Sequence, residues 1–568
     1  MSDPESRGES INALVQSAYA GRIGRRTFLK GLLALGVAAA VARDMADHAA
    51  HAQANQKSQL AALKREYDYI VVGAGSAGCV LAHRLSENGR HSVLVIEGGG
   101  TNLDQDKIVN PLLYTRNFGT DTDWGNKTVP QKHMMGRTIA APLGKIIGGG
   151  SSINATVWLK GDKSDYDTWA QVAGPGWGFA SVIRGLKRAE RYAGGEGELR
   201  GGSGMIAVRK PALDHPVTLA FMASAIELGK QKHIDVNNVA SLADVTGQQD
   251  VNADGSMRRI TTAHAYLLPA LVRSNLTLLP SATVTKLEIK GGDCQGVSVS
   301  VDGKVRRFSA RREVILSAGA LHSPKILMLS GIGPARHLRE IGIPVLMDVP
   351  GIGSNLQDHL LARVLFEAKD TLAPRLDTGH SGIAYHRSDA TLPGPDIQVY
   401  GRSEVPGLAD LKPNQAFAIL AGLMKPRSRG TVRLTSPDPS ALLAVDPNYL
   451  EDPADLEAFI TAIEFAMAIG NARGFEHLRK QQITLPRADR GQIAQYLRTS
   501  ASTYWHYVGT CAMGRHASAP VDEALRLRGV RRLRVIDASV IPTIPSCNTH
   551  APLLALAERA AEIVLGAA

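Results

Sequence analysis

The chain has 568 residues, of which 44% are hydrophobic and 21% charged, a balance that suits folded domains with a large core. Its net charge is +11, but Lys and Arg are scattered, with no run interleaved with aromatics, which disfavours a nucleic-acid partner. No apolar stretch reaches the roughly 18 to 20 residues that a membrane-spanning helix needs, so no transmembrane span is expected.

Residues 1–54 read as an export signal rather than as part of the fold. Gly24-Arg25-Arg26-Thr27-Phe28-Leu29-Lys30 precedes a modest apolar stretch, Gly31 to Ala42, and small-residue sites follow at Ala50-His51-Ala52 and Ala52-Gln53-Ala54. Charged region, apolar region and A-x-A site make a secretory signal, and paired arginines before Phe-Leu-Lys resemble a twin-arginine signal. Cleavage is expected after Ala52 or Ala54, and the periplasm is the expected compartment. Retention as an uncleaved anchor is the alternative, and an amphipathic helix of the mature protein is the plain structural one.

The next element, residues 67–100, organises the chain. An apolar run (Tyr69 to Val72) ends in Gly73-Ala74-Gly75-Ser76-Ala77-Gly78, an amphipathic helix follows through Leu81, Ala82 and Leu85, and a second apolar run ends in Glu97. Gly73 permits the tight turn, Gly75 lets the backbone approach a pyrophosphate, and Gly78 lets helix and sheet pack closely. The helix N-terminus, beginning near Ser76, offers free N–H groups to phosphates, and Glu97 sits where an acid accepts a ribose hydroxyl. The unit predicts a bound dinucleotide without choosing between FAD and NAD.

A second glycine-rich stretch, Gly144 to Asn154, predicts backbone lying close against a flat ligand. Residues 165–245 read as partly helical. From Asn275 the pattern is β, through Leu276–Leu279, Val284–Ile289, Gly296–Val299 and Val314–Leu316, with Gly291-Gly292 and Asp302-Gly303 as turns. Residues 360–490 alternate strand and helix patterns and read as a second, substrate-side domain. Two histidines stand in unusual company near the C-terminus: His506 in Tyr504-Trp505-His506-Tyr507-Val508-Gly509, and His550 in Cys547-Asn548-Thr549-His550-Ala551-Pro552. Between them, Leu533 to Asp537 reads as a buried strand ending in an acid. The four cysteines, Cys79, Cys294, Cys511 and Cys547, form no C-x-x-C motif. Free, buried thiols are expected, with Cys511 and Cys547 the pair to watch for a bridge.

Taken in order, these motifs resemble the glucose–methanol–choline (GMC) family of FAD-dependent oxidoreductases, over about residues 66–566. The similarity rests on Gly144 to Asp167, on Gly319-Ala320-Leu321-His322-Ser323-Pro324 through Gly333, on Gly351-Ile352-Gly353-Ser354-Asn355-Leu356-Gln357-Asp358-His359, on Ser428-Arg429-Gly430, and on Asp446-Pro447-Asn448-Tyr449-Leu450. It implies FAD as the cofactor. The implied fold is α/β (α+β): a discontinuous Rossmann-like FAD-binding domain (residues 66–160, 245–359 and 500–568) with a substrate-binding domain (161–244 and 360–499) built on a six-stranded antiparallel sheet. It also implies that Gly73, Gly75, Ser76, Gly78 and Glu97 surround the pyrophosphate and adenosine and that Val284 contacts adenine. Gly148, Gly149, Asn154 and Ala155 would line the isoalloxazine and ribityl, with Asp537 and Ala538 near the ribityl–pyrophosphate region. Some family members attach FAD to a histidine in the segment matching Gly149 to Asn154; here that position is Ile153, so FAD is expected to be held non-covalently.

The implied activity is oxidation of a CH–OH group to aldehyde or ketone, with hydride passing to flavin N5, His506 as the base and His550 as its hydrogen-bonding partner. Imidazole suits the base role because its pKa lies near neutrality. Trp505 and Trp158 are candidate pocket walls, whereas His133, His264, His322, His337 and His359 are expected to be structural. The substrate is a small-molecule alcohol of undetermined kind, and the electron acceptor is a quinone, a cytochrome or O2. A hydroxynitrile-lyase-like flavoprotein and a non-catalytic FAD-binding protein are the readings from other classes.

Overall fold

A computed structural model describes residues 14–15, 17–19, 22–211, 214–373, 382–403, 411–412 and 414–566. Its first sheet is assembled from distant parts of the chain. The strands Leu276–Leu279, Val93–Ile96, Glu66–Val72 and Lys304–Leu316 lie side by side in that order, all parallel, and Leu533–Val535 adds a further parallel strand beside Val314 to Leu316. Val93–Ile96, Leu276–Leu279 and Leu533–Val535 are short and buried along their whole length, as a sheet covered by helices requires. The long strand Lys304–Leu316 carries Asp293–Val301 antiparallel on its N-terminal half, and Ala282–Lys290 follows. Helix Ser76–Ser86 is buried along nearly its whole length between this sheet and helix His550–Leu565.

The second sheet has eight strands. Six run antiparallel in the order Arg479–Gln482, Leu360–Ala368, Ala416–Leu423, Ile397–Arg402, Gly382–His386 and Val245–Gln248. Two more extend the expected six: Gln231–His233 pairs parallel with Val245–Gln248, and Ser502–Thr503 pairs with Leu360–Ala368. Val245–Gln248 thus belongs to this sheet, although it opens a segment read from sequence as FAD-binding; its partners are Gly382 to Ala384.

Side chains of this sheet alternate between two cores, as the period of two requires. Val399, Phe417 and Ile419 point to one face, where Phe366 stacks on Phe417 at 5.2 Å and Phe417 on Phe475 at 4.8 Å, under helices Pro216–Glu227 and Pro453–Asn471. Tyr400, Ala418 and Leu420 point the other way, toward Tyr504 and Cys547. Removing a ring such as Phe417 would cost about 3–5 kcal/mol.

Residues near the N-terminus, expected outside the fold, form two helices, Arg25–Ala34 and Ala39–Ala61, which pack on each other around Phe28, Leu32, Ala42, Ala46 and Ala49. Ala52 and Ala54 both lie inside the second helix. Its last turns dock beside the first sheet because amide side chains there meet backbone carbonyls: Asn55 Nδ2 donates to Leu271 O, before the strand, at 2.7 Å, and Gln56 Nε2 to Leu276 O, at its start, at 2.9 Å. Among the described residues, no helix is long and apolar enough to cross a membrane.

Candidate cofactor and active site

The glycine turn after Glu66–Val72 is shaped by backbone crowding. Gly73 has φ +101°, and a Cβ there would stand 2.5 Å from Ser317 O; a Cβ on Gly78 would stand 1.9 Å from Gly73 O. Only glycine fits either place. Helix Ser76–Ser86 then starts without any side-chain cap, so its first N–H groups are left for a ligand. Glu97 closes the cradle, accepting from Ala74 N at 2.8 Å and Gly99 N at 2.7 Å; burial pushes its carboxyl up to about 7. The second glycine stretch runs against the first: Gly148 N donates to Ala74 O at 2.7 Å, and a Cβ on Gly149 would lie 2.8 Å from Gly75 Cα. At the C-terminal strand end, Asp537 accepts from Gly319 N at 2.8 Å, Ser323 Oγ at 2.5 Å and Ser539 N at 2.8 Å, and burial raises its pKa.

One cavity connects these parts with both histidines. Gly73, Gly75, Ser76, Glu97, Gly149, Asn154, Ala155, Val284, Asp537, Ala538, His506 and His550 all line it. Gly78 and Gly148 do not; they let helix, strand and loop pack against each other behind it. Trp505 lines the cavity, whereas Trp158 is buried behind it, donating from Nε1 to Glu190 Oε1 at 2.8 Å and meeting His550 edge-on at 5.7 Å.

His506 is held from several sides. Its backbone N–H donates to Asp358 Oδ1 at 2.6 Å, and the other oxygen of Asp358 accepts from Tyr449 Oη at 2.6 Å and Thr503 Oγ1 at 2.5 Å. Burial pushes the Asp358 carboxyl up to about 6. On the ring, Nδ1 lies 2.8 Å from His359 Nδ1, and Nε2 lies 3.3 Å from Asn548 Nδ2. Burial lowers His506 to about 3, and burial with the charge of Arg259 lowers His550 to about 4, so both rings are neutral near pH 7. Among the described residues, His550 Nε2 and Asn548 Oδ1 are buried without a hydrogen-bond partner, on residues that line the cavity.

His359, expected to be structural, touches the ring of His506. Asp358, Asn548 and Arg259 are further residues of the site that no sequence signal assigned. The Asp358-His359 pair stands in the Asn355-Leu356-Gln357-Asp358-His359 motif, and Asn548 stands two residues before His550, so proximity to a motif was the available signal. His322, also expected to be structural, lines the cavity against Trp124 at 4.5 Å. All four cysteines are buried and free.

The residues fit FAD. Crowded glycines, an uncapped helix N-terminus and a buried acid make a dinucleotide cradle, and the unpartnered polar atoms of Asn548 and His550 mark the reactive end.

Comparison with known proteins agrees. Models of the GMC oxidoreductase family match residues 67–361 and 426–557. An uncharacterized GMC-type oxidoreductase of Mycobacterium bovis is 35% identical, covering 88% of this chain and 99% of its own length. An oxygen-dependent choline dehydrogenase of Sinorhizobium fredii is 35% identical over 88% of this chain and 95% of its own. Among solved structures, pyridoxine 4-oxidase from "Mesorbium loti" superposes with a TM-score of 0.83 at 32% identity, covering 87% of this chain and 98% of that one. The chain therefore belongs to the GMC oxidoreductases, FAD flavoenzymes that act on CH–OH donors.

Proposed function

We propose that this enzyme oxidises the alcohol carbon of a small molecule to an aldehyde or ketone, with His506 taking the O–H proton and His550 hydrogen-bonding the same oxygen. The contact between His506 Nδ1 and His359 Nδ1 carries this reading. Hydrogen on His506 Nδ1, donated to His359, leaves the Nε2 lone pair on the side of Asn548 and the cavity. Asn548 Nδ2 donating toward Nε2 agrees with that tautomer, since Nε2 then accepts. FAD, held without a covalent bond, would supply the acceptor for the hydride. Gly73, Gly75, Ser76, Glu97, Gly149, Asn154, Ala155, Val284, Asp537 and Ala538 are the residues we assign to hold it, with Gly78 and Gly148 shaping the walls. The names of the choline and pyridoxine relatives support an alcohol donor.

A screen of alcohols with an artificial electron acceptor, run on wild type and His506→Ala together, tests the reading. It fails if no alcohol reduces the flavin, or if the variant matches wild type. The electrons then pass to a quinone, a cytochrome or O2; stopped-flow reoxidation of the reduced enzyme by O2 separates oxidase from dehydrogenase. The Arg25-Arg26 segment supports export by the twin-arginine route, and cell fractionation with the paired arginines changed to lysine tests it.

A further inference from the structure

The inference rests on the alcohol-oxidising reading of the cavity. Five aromatic side chains surround its histidine end. Trp505 meets Phe118 at 5.1 Å and Tyr114 at 6.0 Å; Tyr504 stacks on Tyr400 at 6.1 Å and tilts over His506 at 4.5 Å. All five line the cavity. Such walls suit two chemistries: a flat neutral ring, or a quaternary ammonium group held against π faces.

The charges decide between them. Aromatic faces attract a quaternary ammonium, and a carboxylate nearby would add to that attraction by replacing lost hydration. Among the described residues, Glu97 and Asp537 are the carboxylates lining the cavity, and both are taken by backbone N–H groups of the dinucleotide cradle. Asp358 lies behind His506, outside the lining, with its oxygens on His506 N, Tyr449 and Thr503.

An uncompensated charge of the other sign stands behind the histidine end. Arg259 is 1% exposed. Its Nε donates to Ile108 O at 2.6 Å, its Nη1 to both oxygens of Asn154, and its Nη2 is buried without a hydrogen-bond partner. No ion pair to a carboxylate answers it among the described residues, and its field reaches His550. A positive charge fixed behind Asn154 and His550 repels a cation in the aromatic enclosure and does not penalise a neutral ring.

We propose that the histidine end of the cavity takes a neutral aromatic carbinol and rejects quaternary-ammonium alcohols. Anaerobic reduction of the flavin by benzyl alcohol, 3,3-dimethylbutan-1-ol and choline tests this; the last two share a shape and differ in charge. The ratio of reduction rate constant to dissociation constant should fall in that order. Choline should stand at least about 30-fold below its neutral isostere, the size of a like-charge contact across a partly screened interior. Choline equal to or better than the isostere overturns the electrostatic half, and the isostere better than benzyl alcohol overturns the aromatic half. Failure of all three, and of the wider alcohol screen, sinks the alcohol-oxidising reading itself. Alcohols outside these classes being the sole reductants sinks this proposal alone. Arg259→Met, assayed as FAD-loaded protein, should narrow the gap between choline and its isostere; an unchanged gap counts against the role of Arg259. A binding measurement covers the case in which that variant does not fold. Benzamide should perturb the flavin spectrum of wild type and tetramethylammonium should not, and the reverse order overturns the proposal.

Discussion

His359 and His506 face each other through their Nδ1 atoms at 2.8 Å, so one ring must carry hydrogen there and the other must not. If His506 is the donor, its Nε2 carries the lone pair that takes the substrate proton once the substrate oxygen displaces Asn548 Nδ2. His359→Leu removes the acceptor and leaves a buried N–H unpaired, so the favoured tautomer is lost. We expect kcat to fall by about 10- to 100-fold with KM little changed, and the acid limb of the kcat profile to move. His359→Gln, whose amide oxygen can accept, should recover most of the loss. A variant that alters KM alone would make His359 a packing residue.

His506 itself should matter more. His506→Ala should lower the rate of flavin reduction by about 10² to 10⁴, the usual worth of a positioned base, while the visible flavin spectrum persists. Rapid-mixing reduction under anaerobic conditions reads both. His550→Ala should cost less, because it removes a hydrogen bond to the reacting oxygen and leaves the base in place.

Glu97 ties the glycine turn to the backbone just past its own strand by accepting from Ala74 N and Gly99 N. Glu97→Ala leaves two buried N–H groups without a partner and removes the proposed ribose contact. The purified variant should be largely colourless, with the FAD dissociation constant raised at least about 10-fold. Full flavin content in this variant would count against the assignment.

Ile153 lines the cavity and carries no nucleophile. Acid precipitation of the purified enzyme should release the yellow colour to the supernatant. Colour kept in the pellet would show a covalent link through some other side chain.

His264 is buried, with Nδ1 on Thr261 Oγ1 at 3.1 Å, and burial lowers its pKa to about 3. The unfolded chain binds this proton near 6.5, so between those values the unfolded state holds more protons. The stabilising effect is present above about 6.5 and is lost as pH falls toward 3, amounting to about 2 kcal/mol lost at pH 5. His264→Gln should flatten the decline of denaturation midpoint from pH 7 to pH 5. An unchanged slope would assign the acid sensitivity to other groups.

Local rules made much of this molecule legible. The turn from Gly73 to Gly78 could be read from spacing because steric demands of a strand–turn–helix are local, and the β run from Leu276 to Leu316 because its turns are short. The eight-stranded sheet was hard to read. Its strands come from residues 231 to 503, and Val245–Gln248 joins Gly382–His386 across more than a hundred residues. Site residues divide the same way. His506 and His550 lie in motifs of their own. His359 is 147 residues from the ring it touches, and Arg259 looks like any other arginine until burial without a carboxylate sets it apart.

The docked helix near the N-terminus bears on processing. A cut after Ala54 would divide Ala39–Ala61 between two sets of attachments. Gln53, on the departing side, holds Ala18 O, whereas Asn55, Gln56 and Gln59, on the side that remains, hold the carbonyls of Leu271, Arg273, Ser274 and Leu276. The ion pair from Arg22 to Asp104 at 2.6 Å would leave with the released piece and uncover a carboxylate that is otherwise nearly enclosed. A peptidase acting there would thus find a perforation: the shorter chain keeps its grip on the sheet, and Asp104 becomes a marker by which cut and uncut forms can be told apart.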